Sequence, residues 1–160
     1  MKNYLIGFFL IFLFSCQSNL PETTINPDEE SFRQLNQAYL QSWLDGNEAG
    51  VLALFEEGAR ISPSSLCPID SLHNMQQFWF PNDGSVTTIH RFEAEELSLK
   101  VLDNLGYATQ KTLLEWSYEL GETKMGRIQE GIETTIFRKQ EDGSWKIWRK
   151  MWQDVVVKER

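Results

Sequence analysis

Apolar positions recur along the chain in two rhythms, three to four residues apart in the first half and every second residue afterwards. The first rhythm opens at Asn26-Pro27-Asp28-Glu29. Asn26 is placed to cap a helix, Pro27 suits its first turn, and Glu29 sits where a capping box needs an acid. Phe32, Leu35, Tyr39 and Trp43 then share one helical face. Asp45-Gly46-Asn47 ends that helix and starts a second through Val51, Leu52, Leu54 and Phe55, which Gly58 closes. Ala59-Arg60-Ile61-Ser62 reads as a short strand stopped by Pro63, and residues 63–68 as a loop. A third helix begins at Asp70 or Ser71 with Leu72, Met75, Phe78 and Trp79 turned inward, and Pro81-Asn82-Asp83-Gly84 is a turn.

From there the period is two. Residues 87–101 form a long strand whose apolar parity shifts between Phe92 and Ala94 on one side and Leu97, Leu99 and Val101 on the other. A parity shift inside one run predicts a bulge, and a bulge bends the strand. Strands follow at 107–118, 128–139 and 145–156, separated by turns at 103–106, 121–126 and 141–144, the last with the Asp-Gly of a hairpin. Three helices followed by an antiparallel meander predict an α+β fold. A strongly bent sheet wrapped on the long first helix makes a cone with a cavity between them.

The first fifteen residues have neither rhythm. Lys2 precedes an almost unbroken apolar run from Tyr4 to Phe14, too short for a permanent span of roughly 20 residues but suited to a signal peptide. The run ends in Leu13-Phe14-Ser15-Cys16, which resembles a lipobox. The expectation is a signal peptide over 1–15, lipidation of Cys16, a polar tether over 16–26 and one domain over 27–156. A second acyl chain would make the membrane anchor stable where one chain would not. Gln17, in place of an aspartate, points to an outer-membrane lipoprotein facing the periplasm.

Loss of residues 1–15 removes one charge, Lys2, so the net charge of −8 becomes −9. A chain this acidic repels phosphate backbones, which excludes nucleic acid as an expected partner. With Cys16 lipidated, Cys67 is left without a disulfide partner. Two histidines, His73 and His90, in no ligand spacing give no basis for a metal site, and no motif calls for a cofactor.

Three stretches carry a resemblance. Tyr39 and Gly46 followed by Val51-Leu52-Ala53-Leu54-Phe55 and Ala59-Arg60-Ile61-Ser62-Pro63 resemble the opening of nuclear transport factor 2-like domains. Phe137-Arg138-Lys139, Asp142-Gly143-Ser144-Trp145-Lys146-Ile147 and Trp152 resemble the last hairpin of the SnoaL-like and ketosteroid-isomerase-like branches. The resemblance spans about residues 28–154 and implies a cone-shaped, cystatin-like fold. It also implies a test of chemistry, since the isomerases use a tyrosine with a protonated aspartate as oxyanion hole and a second aspartate as base. Tyr39 matches the tyrosine, but Ser62-Pro63 stands where the base belongs and Thr135 where the second acid belongs. The resemblance therefore argues for the fold and against that mechanism.

Candidate cavity residues are Tyr39, Trp43, Ser62, His90, Glu133, Thr135, Arg149 and Met151. Strict alternation in the last strand puts Trp145, Ile147, Arg149 and Met151 toward the cone, and Lys146, Trp148, Lys150 and Trp152 away from it. Arg149 is then either a cavity cation awaiting Glu133 or an anionic ligand, or a surface residue of the hairpin. His90 is either an imidazole base or an exposed strand residue, and Tyr39 either a ligand contact or a core tyrosine. Trp148 and Trp152, alternating with Lys146 and Lys150, suit the seam of a homodimer through the sheet face or a surface for another partner about equally. Three functions remain open: a membrane-anchored protein binding a small hydrophobic or anionic molecule, an enzyme of isomerase, cyclase or dehydratase type, and a dimeric interaction module.

Overall fold

The computed structural model describes residues 26–160, so the expected signal peptide, the lipidated Cys16 and all but the last residue of the tether lie outside the described residues. Three helices, α1 (Pro27–Leu44), α2 (Glu48–Ala53) and α3 (Leu72–Trp79), pack on one sheet. The strands are β1 (Phe55–Ser62), β2 (Ile69–Asp70), β3 (Val86–Leu102), β4 (Leu105–Leu120), β5 (Thr123–Lys139) and β6 (Trp145–Glu159). Their spatial order is β2-β1-β6-β5-β4-β3. β3 to β6 form the expected antiparallel meander, the expected short strand is β1, which runs parallel to β6, and β2, antiparallel to β1, is the one strand beyond those expected. The fold is the α+β cone that the two rhythms predict. No helix among the described residues is long and apolar enough to cross a membrane.

Local chemistry sets the element ends. The Asn26 side chain accepts from the Asp28 backbone N–H at 3.0 Å, with Pro27 in the first turn. Asn47 and Ser71 cap α2 and α3 in the same way, at 2.9 and 3.3 Å. β1 begins earlier than its sequence suggests, at Phe55, because α2 ends at Ala53. The β4–β5 turn is also tighter than expected, with Gly121 at φ 57° and strand pairing resuming at Thr123.

Bulges bend the sheet. β3 carries one extra residue at Leu97, between the pairs Glu96–Gln110 and Ser98–Thr109, where the parity shift predicts it. A second lies at His90, between Ile89–Trp116 and Arg91–Glu115. β6 carries one at Trp148, since Ile136 pairs with Arg149 while Phe137 pairs with Ile147, and another at Val155.

The Trp148 bulge corrects the expected facing of β6. Trp145 and Ile147 are buried, but beyond the extra residue the inward set is Lys150, Trp152 and Asp154, and Arg149 and Met151 turn outward. Met151 is 42% exposed. The same shift takes Trp152 out of the expected dimer seam.

The inner face of the sheet has two ends. At one, α1 lies directly on the strands. Phe32 stacks on Phe137 at 4.5 Å between ring centroids, Trp145 meets Phe137 edge-on at 5.1 Å, and Gly106 pairs with Phe137 across β4–β5. Gly106 is required there, because a Cβ would lie 2.3 Å from the Phe137 ring. Asp28 binds this end to the helix, accepting from Lys139 Nζ at 2.9 Å and Trp145 Nε1 at 3.0 Å. At the other end the last turns of α1, together with α3, wall a hollow over the sheet face instead of packing on it.

Candidate functional site

A cavity of about 440 Å³ fills the open end. Helices supply Tyr39 and Trp43 from α1 and Phe78 and Trp79 from α3. The strands supply Phe92 from β3, Trp116 and Tyr118 from β4 and Trp152 from β6, making eight aromatic residues on the wall. Alternation explains the strand contribution: Thr112, Leu114, Trp116 and Tyr118 are successive inward residues of β4, and all four line the cavity. The rings also brace one another. Trp43 lies edge-on to Trp79 at 5.4 Å and stacked on Phe80 at 5.1 Å, and Tyr39 meets Trp43, Phe55 and Phe92 edge-on at about 6 Å.

Polar groups are few. Trp116 Nε1 donates to Gln129 Oε1, which fixes that amide on the wall. Glu133 and Asp154 are the charged wall residues, from β5 and β6. The Asp154 backbone N–H donates to Ser64 Oγ at 3.2 Å, joining the strand to the loop after β1. Trp43 Nε1 is buried without a well-formed hydrogen bond.

A buried charge cluster forms the boundary between the two ends. Lys150 Nζ donates to Glu133 Oε1 and, at 3.3 Å, to Thr135 Oγ1, while Thr135 donates to the same Glu133 oxygen at 3.3 Å. The Lys150 and Glu133 side chains are only 2% and 7% exposed. Lys150 Nζ also sits 4.2 Å from the centre of the Tyr39 ring. Burial pulls the Lys150 ammonium below its ordinary range, and the Glu133 charge opposes that pull. Burial drives the Tyr39 hydroxyl well above its ordinary value and the Glu133 charge adds to it, with the nearby Trp43 N–H acting the other way. Tyr39 therefore stays a neutral phenol in ordinary solution.

The structure brings together Tyr39, Trp43, Glu133 and Thr135 from the sequence-derived candidates, with Thr135 just behind the wall. It does not bring in the other four. Ser62 is half-buried off the wall, and Pro63 and Ser64 line the cavity in its place. His90 is the extra residue of its bulge and turns outward, with Nε2 2.8 Å from Ser117 Oγ, so it is not a cavity base. Arg149 leaves the cavity because of the Trp148 bulge. Its Nη1 donates to the Gly58 and Trp148 carbonyls at 2.9 and 2.8 Å, and its guanidinium lies 4.2 Å from the Trp148 ring centre. Arg138 covers the same ring at 3.9 Å. Met151 leaves with Arg149.

Sequence reasoning missed Trp116, Tyr118, Gln129, Lys150, Trp152 and Asp154. The β4 set was readable from its own alternation. The β6 set was not, because it depends on the bulge.

No protein-family model and no curated protein matches the chain. Solved structures do match by shape. A ketosteroid isomerase-like protein from Erwinia carotovora atroseptica SCRI1043 superposes with a TM-score of 0.69 at 11% identity, covering 82% of this chain and 99% of that one. A hexachlorocyclohexane dehydrochlorinase, LinA-type3, from Novosphingobium barchaimii LL02 gives 0.62 at 11%, covering 84% and 90%. A nuclear transport factor 2-like protein with a cystatin-like fold from Novosphingobium aromaticivorans gives 0.57 at 14%, covering 81% and 82%. At these identities the likeness establishes a shared fold, the cystatin-like cone.

Proposed function

We propose that this chain is a lipid-anchored small-molecule-binding protein of the cell envelope. Cys16 is the anchor, the outer membrane facing the periplasm is the location, and the aromatic cavity is the working part. The cavity carries the reading: about 440 Å³ of space with eight aromatic residues on its wall. Apolar walls with a few fixed polar groups are the usual form of a small-molecule site. The arrangement of Glu133 favours binding over proton transfer, since its carboxylate is held by Lys150 and Thr135.

The test is native against denaturing mass spectrometry on the mature chain from position 16 with Cys16→Ser, purified without added ligand. Extra mass that leaves on denaturation is the expected result. A clean protein mass, with no binder found among small aromatic compounds, would overturn the reading. The anchor is tested separately on the full-length chain, in which Cys16→Ser should abolish the acyl mass that the unsubstituted chain carries.

The outer sheet face supports a homodimer as a second reading. Tyr107, Ile132 and Met151 lie on it at 42%, 38% and 42% exposure. The same native spectrum would show a doubled mass.

A further inference from the structure

The cavity wall carries charge of one sign. Its charged residues are Glu133 and Asp154, both acids. Glu133 is neutralised from behind by Lys150. Asp154 has no ion-pair partner among the described residues. Across the strand pair Asp154 faces Gly131, which has no side chain to cover it. A side chain could not be added there, because a Cβ on Gly131 would lie 2.7 Å from the Gln153 carbonyl oxygen. The carboxylate is thus left open toward the cavity.

Its neighbour along the inward face of β6 is Trp152, one of the eight aromatic residues on the wall, and aromatic rings carry negative π-faces. Ring faces attract a cation, and more strongly when it is desolvated. Arg149, the group that would have welcomed an anion, is turned away and held on Gly58 and Trp148. The next cation along β5, Arg127, shares the strand face of Gln129 but is not on the cavity wall. An anion entering here would meet two carboxylates and no wall cation, whereas a neutral molecule would leave Asp154 without a counter-charge. The chain's net charge of −8 also concentrates cations around it.

We propose that the ligand of this cavity is an organic cation, an amine or quaternary ammonium with an apolar body, whose charge rests between Asp154 and the aromatic wall. This rests on the binding reading above and names the ligand class for the same cavity.

The experiment compares three probes by tryptophan fluorescence on the mature chain from position 16 with Cys16→Ser. They are benzyltrimethylammonium, its uncharged isostere neopentylbenzene, and the anion 3-phenylpropionate. The cation should bind about tenfold more tightly than the isostere, and the anion should bind most weakly. In Asp154→Asn the ratio of cation to isostere should fall to within about twofold, while the outward-facing control Arg149→Gln should keep the wild-type ratio. The ratio in the unsubstituted cavity decides the matter even if Asp154→Asn folds poorly. Equal or tighter binding of the isostere, or preference for the anion, would overturn the cation while leaving the binding reading intact. Binding of none of the three would overturn the cation as well, and the native mass measurement would then judge the binding reading independently.

Discussion

The two ends of the inner sheet face are built from the same strands by the same alternation, yet one is solid and the other hollow. At the solid end Phe137 and Ile147 are buried under α1, and Gly106 gives up its side chain so that the Phe137 ring fits. At the hollow end Trp116, Tyr118 and Trp152 stand on the same face, and Tyr39 and Trp43 of α1, Phe78 and Trp79 of α3 and the loop after β1 line the cavity with them. The difference is contact: Phe32 of α1 stacks directly on Phe137, whereas Tyr39, Trp43 and α3 enclose a gap of about 440 Å³ over the strands. Large aromatic residues thus serve opposite purposes depending on whether a helix packs against them or only borders the space in front of them. Between the ends lies the Lys150–Glu133–Thr135 cluster, a buried polar partition.

The sharpest way to break this comparison is to break the partition. Lys150→Ala leaves Glu133 buried without its counter-ion and should cost about 3–5 kcal/mol in chemical denaturation. Lys150→Met combined with Glu133→Leu removes both charges and should recover most of that loss. If the single substitution costs under about 1 kcal/mol, water reaches the pair and the partition is no barrier.

Truncation at the two ends should then diverge. Phe137→Ala empties packed space and should cost about 3–5 kcal/mol, whereas Trp116→Ala enlarges a hollow and should cost about 1 kcal/mol. Equal costs would mean that the open end is packed as tightly as the closed one. Glycines sharpen the same contrast at smaller scale. Gly106→Ala should cost about 1–3 kcal/mol because the Phe137 ring cannot retreat. Gly126→Ala meets only the flexible Arg160 side chain at 3.1 Å and should stay within about 0.5 kcal/mol.

The smallest effect is a pH dependence. Tyr39 holds its proton more tightly folded than unfolded, so above about pH 10 the unfolded chain loses a proton that the folded chain keeps, and stability falls as pH rises. Lys150 acts in the opposite sense. Its folded value is depressed, so the unfolded chain binds more protons, and stability rises with pH up to the ordinary lysine range. Unfolding free energies measured from pH 8 to 11.5 should show Tyr39→Phe keeping the rise and losing part of the fall. Parallel profiles would show that Tyr39 titrates as freely folded as unfolded.

Particular strands show why the fold was legible and the site only partly so. The Leu97 bulge announces itself because Phe92, Ala94, Leu99 and Val101 are apolar and their neighbours largely polar, so a parity shift leaves a visible seam. The His90 bulge had a fainter seam, the three-residue spacing of Ile89 and Phe92, both of which line the cavity. In β6 no seam exists. From Trp148 to Trp152 the order is Trp-Arg-Lys-Met-Trp, so each face receives both a large apolar and a cationic residue and either facing satisfies burial and solvation about equally. That ambiguity sent Arg149 and Met151 into the predicted cavity and hid Lys150, Trp152 and Asp154. Helix caps and turns were readable because Asn, Ser, Gly and Pro act through neighbours a few residues away, whereas bulge position is decided across strands.

The Trp148 bulge also determines which changes in chain length this strand survives. It is a spare residue, so deleting Trp148 would leave every later side chain of β6 on its present face. Deleting Met151, three positions along, would exchange inside for outside at Lys150 or at Trp152 and Asp154. Lineages can therefore drop a codon at one place in β6 and keep the cavity, while the same loss a turn of the pleat further on rewrites it.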